Sequence, residues 1–273
     1  MLLRFLGPFF IAVLIMSHSP SFAQNPVDPD KAQILFNKIQ RLYEPVAKAD
    51  QGEFFLTIHW DRQTVAAQAI RDVMDKYGIG VDAGMLTSPR VNEDALALTL
   101  CHEAGHLFGG TPLRPTPPEW YGPTDESGLS LHSAEGQADY YSTAVCFRKV
   151  VAGEDHREIL RGKEIPYRVV QLCDSTWGLR TSDSYLCQRA ALAGLQFLTM
   201  VTDFPISFNT SDTTVADKTN NETYPARQCR LDTILAGALC QASLPLNLNR
   251  KDLPFSSCSE GISARPPCWF KKP

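Results

Sequence analysis

Two histidines and a glutamate interrupt an otherwise apolar stretch of this 273-residue chain. Residues 95–108 read A-L-A-L-T-L-C-H-E-A-G-H-L-F, and apolar side chains cover nearly the whole circumference of a helix, which predicts a buried helix. His102, Glu103 and His106 fall within an arc of about 100° on that helix. Burying imidazole and carboxylate groups without partners is costly. We therefore expect a partner for them, and this set of side chains favours a metal ion.

The spacing of the two histidines matches that of a zinc hydrolase. His102 and His106 are four residues apart and share one helical face, so both can reach one ion. Neutral imidazole suits Zn²⁺, and zinc lowers the pKa of a bound water to about 7. Glu103 would then accept the water's proton as general base. The alternative is a pair of buried histidines that are hydrogen-bonded and hold no metal.

A catalytic zinc site takes three protein ligands, so one more is expected. The best source is the segment S-A-E-G-Q-A-D at residues 133–139, where Glu135 and Asp139 share a helical face. We assign Glu135 to the metal and Asp139 to the free ring N–H of a ligand histidine. His132, Glu126 and Asp139 itself remain alternatives for the third ligand.

The helices that carry these residues have recognisable ends. Asn92 is a typical N-cap, Glu93 and Asp94 place negative charge in the first turn, and Gly109-Gly110 ends the helix. A second helix is predicted from about residue 134 to 151.

The rest of the chain predicts a small sheet and several more helices. Asp28-Pro29-Asp30 begins a helix that Glu44-Pro45 bends or ends. Strands are predicted at 54–60 and near 77–83, and the segment 64–70 is ambiguous but could be a further strand. Further helices are expected near 186–201 and 230–241.

The first 23 residues have the pattern of a secretory signal peptide. Arg4 precedes an apolar run, and Ser21-Phe22-Ala23 is a typical cleavage site. An uncleaved membrane anchor is the alternative. We divide the chain into a signal peptide (1–23), a domain (24–202), and a loop, helix and Cys/Pro-rich extension packed on that domain (203–273). The mature protein is expected in the periplasm or outside the cell.

The composition excludes two classes of partner. The formal net charge is −4 and no run of lysine or arginine occurs, which argues against a nucleic-acid binder. After the signal peptide, no segment is long and apolar enough to be an integral membrane span.

An even number of cysteines in an exported chain predicts disulfides. Five of the eight lie in the last 90 or so residues, so we expect a cysteine-stapled C-terminal region. We expect Cys101 and Cys146 not to pair with each other, because Cys146 lies about 16 Å along its helix from Glu135. The cysteines are Cys101, Cys146, Cys173, Cys187, Cys229, Cys240, Cys258 and Cys268.

Three motifs together resemble a known family. D-A-G-M-L at 82–86, N-E-D-A-L-A-L-T-L-C-H-E-A-G-H at 92–106 and E-G-Q-A-D at 135–139 are similar to the gluzincin peptidases related to the CAAX prenyl protease and HtpX. The resemblance covers roughly residues 54–150. It implies an α+β, zincin-like minimal gluzincin fold, with a small, mostly antiparallel sheet packed on the active-site helices. It also implies zinc ligands at His102, His106 and Glu135, a base at Glu103 and a supporting Asp139.

The chain departs from this family in two ways. It lacks transmembrane helices after the signal, which makes it more similar to soluble, exported members. Many members carry a later His-Pro followed by Arg, whereas here Tyr224-Pro225 precedes Arg230. Tyr224 or Arg230 is a candidate for stabilising an oxyanion or contacting substrate, although a structural role is favoured over that function.

The resulting expectation is a zinc metalloendopeptidase that cuts a protein or peptide substrate. The alternative is a non-catalytic, metal-stabilised binding or chaperone-like protein, in which the loop 111–133 plugs the open zinc position instead of acting as a lid. A third reading keeps zinc hydrolysis but assigns an aminopeptidase or amidase activity, with Glu119, Asp125 or Glu126 binding the substrate's amine.

Overall fold

The computed structural model describes residues 26–72, 76–116, 124, 127–249 and 256–272. The predicted signal peptide lies outside them. The predicted α+β class is confirmed. The main elements are α1 (Pro29–Ala49), β1 (Glu53–His59), β2 (Ala67–Arg71), β3 (Lys76–Asp82), α2 (Gly84–Thr87), α3 (Glu93–Phe108), α4 (Glu135–Tyr141), a π-helical segment (Ser142–Phe147), α5 (Arg148–Val150), α6 (His156–Ile159), α7 (Tyr167–Trp177), α8 (Ser182–Thr199) and α9 (Arg227–Ala238).

Helix α1 begins where its capping residues predict. The Asp28 carboxylate accepts hydrogen bonds from the backbone N–H groups of the first turn, and Pro29 occupies the first helical position. Pro45 lies inside the helix without ending it. The buried face of α1 includes Tyr43, whose ring stacks on Phe108 of α3 at 5.0 Å. This contact joins α1 to the helix that carries the histidine pair.

The sheet is mixed, so the expectation of a mostly antiparallel sheet was wrong. Its order is β1-β3-β2, with β3 parallel to β1 and antiparallel to β2. The short connection from β2 to β3 reverses the chain, and β3 then inserts between its two predecessors, which makes it parallel to β1. The ambiguous segment 64–70 contains most of β2, which lies at one edge of the sheet.

Helices α3 and α4 form the centre of the molecule. The Asn92 side chain accepts the Ala95 N–H at 2.7 Å, which confirms the predicted cap of α3. Every residue of α3 after Glu93 is buried. Gly105 of α3 packs on Ala138 of α4, and a Cβ at Gly105 would lie 2.8 Å from Ala138 Cα. The absence of a side chain at Gly105 therefore lets the two helices approach closely.

The predicted helix over 134–151 is present as α4, the π-helical segment and α5 in succession. Helices α8 and α9 correspond to the two later predicted helices. Helix α7 was not predicted, and only Val169 and Cys173 are buried in it. None of the helices in the described part of the chain is long and apolar enough to cross a membrane.

The eight cysteines form four disulfides, and one of them corrects a sequence-based expectation. Cys101 pairs with Cys146, with 5.4 Å between their Cα atoms. Cys101 lies one turn before Gly105 on the same face of α3. This face packs on α4 and differs from the face that carries His102 and His106. The sequence-based expectation assumed that the backbone of Glu135 lies beside the histidines. In the structure the long side chain of Glu135 spans part of that distance. The other pairs are Cys173–Cys187, Cys229–Cys268 and Cys240–Cys258, which confirms a stapled C-terminal region.

Removing the disulfide between Cys101 and Cys146 is expected to destabilise the protein more than removing the one between Cys173 and Cys187. The first closes a separation of 45 residues and the second one of 14. Loop-closure entropy gives losses of about 4 and about 3 kcal/mol respectively. Denaturant unfolding of the two double Cys→Ala variants, without reductant, measures both values. A larger loss for the shorter loop would contradict the expectation.

Candidate metal centre

Three side chains from two helices converge at one buried point. His102 and His106 lie one turn apart on α3, and Glu135 is the first residue of α4. Glu135 Oε2 lies 3.3 Å from His102 Nε2 and 3.4 Å from His106 Nε2. One potential ligand atom from each residue lies within 4.8 Å of the others, and all three residues are buried. This group could hold a metal ion.

The two distances from Glu135 Oε2 to the imidazole nitrogens fit a tetrahedral ion. Ligand atoms about 2.1 Å from a tetrahedral centre are about 3.4 Å apart. Glu135 Oε2 is buried and has no hydrogen-bond partner of good geometry among the described residues, although both imidazoles face it. Burying a carboxylate oxygen without a partner destabilises the folded protein, and a cation between this oxygen and the imidazoles would offset that effect.

The second ring nitrogen of each histidine also lies close to an oxygen atom, in a hydrogen bond for His106 and in a contact without hydrogen-bond geometry for His102. His106 Nδ1 lies 2.8 Å from the Ser133 carbonyl oxygen, which can only accept, so Nδ1 carries a proton and donates it in this hydrogen bond. His102 Nδ1 lies 2.9 Å from Asp139 Oδ1. Both contacts turn Nε2 towards the ligand group, the arrangement typical of metal-binding histidines. Asp139 therefore lies where the sequence placed it.

Asp139 is itself held by two hydrogen bonds from a buried arginine. Arg230 Nε and Nη2 of α9 donate to the two Asp139 oxygens at 2.7 and 2.8 Å, and both residues are buried. Burial opposes ionisation of Asp139, but the charge and hydrogen bonds of Arg230 outweigh it and lower the pKa of this carboxyl. The chain thus places a permanent negative charge against His102.

The carboxylates also act on His102. Burial disfavours its imidazolium form, but the nearby carboxylates of Asp139 and Glu135 outweigh burial and raise the pKa of His102 to about 10. A metal ion would take the place of the proton on Nε2, so metal binding would release a proton at neutral pH.

Glu135, and not His132, belongs to the group of potential ligands. His132 instead lines a neighbouring cavity, where burial and the positive charges of His106, Arg71 and Arg114 lower its pKa to about 3. Glu119, Asp125 and Glu126, which were considered from the sequence, lie outside the described residues.

Two clefts meet beside the ligand group, and Glu103 and Tyr224 line both of them. We call the first the polar chamber, a cavity of about 270 Å³ whose wall includes Gln68, Arg114, Ser130 and His132. We call the second the apolar chamber, a cavity of about 500 Å³ whose wall includes Phe197, Leu198, Met200, Val201 and Pro225. Edge strand β2 borders both.

Tyr224 faces the site from the loop before α9. Partial burial of its hydroxyl and the charges of Glu135 and Glu103 raise its pKa to about 12, although Arg230 acts in the opposite direction. The Arg230 guanidinium lies 4.9 Å from the centre of the Tyr224 ring. Tyr224 is therefore a protonated hydroxyl at neutral pH and can donate a hydrogen bond into the cleft.

Arg114 is a site residue that sequence reasoning missed. Its Nη1 lies 3.3 Å from Glu135 Oε1, the carboxylate oxygen that faces away from the histidines. It comes from a proline-rich loop in which no periodicity marked it. Only the pairing of that loop with residues 130–133 brings it to the metal centre.

Comparisons with protein-family models, with curated proteins and with solved structures find no match for this chain. The site must therefore be interpreted from its own geometry.

Asp139→Asn is expected to weaken zinc binding by about 10–100-fold, because His102 loses the charge that orients it. It also leaves buried Arg230 without its ion pair, which should cost about 3–5 kcal/mol of unfolding free energy. Competitive titration against a chromophoric chelator and denaturant unfolding of the metal-free protein measure the two effects.

The double variant Asp139→Asn/Arg230→Met separates these effects. It should recover much of the stability of the metal-free protein, since no unpaired charge remains buried, but not the zinc affinity. Wild-type zinc affinity in Asp139→Asn would contradict a role for this carboxylate in orienting His102.

Proposed function

We propose that this protein is an exported, zinc-dependent endopeptidase. The observation that carries the proposal is the buried group of His102, His106 and Glu135 at the junction of two clefts, with Glu103 in the wall of both. A purely structural metal site would need neither the open cleft nor a carboxylate beside the ligands.

The donor set supports zinc. Two imidazole nitrogens and one carboxylate oxygen are the protein ligands of a common class of catalytic zinc site, which keeps one position open. The contacts that both histidines make through their second ring nitrogen orient Nε2 of each ring towards the ligand group. When bound, zinc would polarise the substrate carbonyl and lower the pKa of a water to about 7.

The substrate would bind as an extra strand. Strand β2 is an edge of the sheet and borders both chambers, so its outer backbone groups can pair with an extended peptide. A substrate peptide bound along β2 would extend beyond Glu103 in both directions, which favours cleavage within the peptide instead of at its end.

The residues of this chain then have separate tasks. Glu103 accepts a proton from the attacking water as its oxygen bonds to the carbonyl carbon, and it passes that proton to the amine nitrogen as the carbon–nitrogen bond breaks. Tyr224 donates a hydrogen bond to the carbonyl oxygen while negative charge develops there. Arg230 directs two donors at Asp139, which supports the positioning role that the sequence favoured for it over direct contact with substrate.

Four disulfides suggest an oxidising environment, which supports export. The periplasm or the exterior of the cell would supply that environment.

The test is cleavage of an unbiased peptide mixture by the purified mature protein, read by mass spectrometry alongside its zinc content. We expect internal cuts that a chelator abolishes and zinc restores. A protein with one zinc per chain that cuts nothing would contradict the proposal and favour the plugged, non-catalytic alternative. Removal of single N-terminal residues would favour an aminopeptidase.

A further inference from the structure

The two chambers offer different chemistry to a bound peptide. The apolar chamber presents Phe197, Met200 and Pro225, with Arg227 and the Asp139-paired Arg230 also in its wall. The polar chamber presents the guanidinium of Arg114 with the hydroxyl of Ser130 and the imidazole of His132. Residues that bind on opposite sides of the cut would therefore meet different surfaces.

The backbone of Arg114 is fixed by hydrogen bonds, whereas much of its side chain is exposed. Its N–H donates to the His132 carbonyl at 2.8 Å, and its own carbonyl accepts from Ser130 N at 3.1 Å and Ser130 Oγ at 3.1 Å. The side chain remains 42% exposed, and its one hydrogen bond to the described residues goes to Glu135. Within the described part of the chain, most of its donors therefore have no acceptor, and the backbone that carries them is already fixed.

The charge around Arg114 depends on the metal. Glu103 and Glu135 also line the polar chamber and would repel an acidic group. A divalent ion would offset the charges of both carboxylates and leave the guanidinium uncompensated. His132 adds no positive charge, because its pKa is lowered to about 3.

The direction of a bound peptide follows from strand pairing. The apolar chamber borders Ala66 and Ala67, whereas the polar chamber extends to Ala69, further along β2. Antiparallel pairing is the more stable arrangement. A peptide antiparallel to β2 reaches the polar chamber first, so residues on the amino side of the cut lie there.

We propose that Arg114 selects an acidic side chain on the amino side of the scissile bond. This inference rests on the proposed peptidase function. The carboxylate would accept charge-assisted hydrogen bonds from the Arg114 guanidinium, while an apolar residue beyond the cut occupies the apolar chamber.

The test uses pairs of peptides built on a sequence that the protein cuts, identical except for Glu or Gln at the amino-side position next to the cut. We expect kcat/KM to be about tenfold higher for the Glu peptide, and Arg114→Gln to bring the ratio of the two values close to one. Arg114→Glu should favour the corresponding Lys peptide. Both peptides are measured with the same preparation, so the ratio of their kcat/KM values does not depend on the fraction of the protein that holds zinc.

The matched control is Arg227→Gln, which removes the same charge from the rim of the apolar chamber and should leave the ratio unchanged.

Binding provides a readout without turnover. In the zinc-loaded Glu103→Gln protein, adding Arg114→Gln should weaken binding of a labelled Glu peptide about tenfold and leave that of the Gln peptide unaltered.

Equal kcat/KM for the Glu and Gln peptides in the wild type, or an unchanged ratio in Arg114→Gln, would overturn the inference while the peptidase function stands. A zinc-loaded wild type that cuts no peptide would overturn the proposed function, and the inference with it.

Discussion

Glu103→Gln is expected to lower the rate of peptide cleavage by a factor of about 10²–10⁴ while the protein keeps its fold and its zinc. Glutamine has nearly the shape of glutamate but cannot accept the water's proton. Glu103 is absent from the group of potential metal ligands, so zinc binding should survive the change. Single-turnover cleavage assays and the zinc content of the purified variant measure the two properties.

The matched control for this variant is Glu93→Gln on the same helix. Glu93 is exposed in the first turn of α3 and pairs with Lys31 at 2.7 Å. An exposed pair of this kind contributes little to stability, so activity should change little. If Glu103→Gln cut peptides as fast as the wild type, Glu103 would not be the base.

His106→Ala is expected to abolish stable zinc binding and the stabilisation that zinc provides. A ligand that binds only the folded state raises the unfolding free energy by about 4 kcal/mol at a free concentration a thousand times Kd. The wild type should show this increase, because the metal site exists only when α3 and α4 are packed together. Denaturant unfolding with zinc and with chelator measures it.

The control is His156→Ala, which removes another buried histidine far from the ligand group in sequence. His156 Nδ1 lies 3.2 Å from Arg189 Nη1. Its loss should lower the stability of the metal-free protein yet preserve the gain on adding zinc. A stoichiometric zinc ion in His106→Ala would show that this residue is not a ligand.

Local sequence determined much of the candidate site. The burial of α3, its cap at Asn92 and the common face of His102 and His106 depend on residues within a few turns of one another, and the structure has all three. The spacing of Glu135 and Asp139 likewise predicted that they share one face of α4. Helical periodicity is a local property, so it could be read without knowing the fold.

Tertiary structure decided which distant groups meet these residues. Arg230 lies 91 positions after Asp139, and Arg114 reaches Glu135 from a loop without periodicity. The choice of Glu135 over His132 depends on how closely α3 and α4 approach through Gly105. The same packing brings Cys101 to Cys146, and the insertion of β3 between its neighbours makes the sheet mixed. Each of these outcomes is set by how segments far apart in the chain pack against one another, which residue spacing within a single helix or strand does not encode.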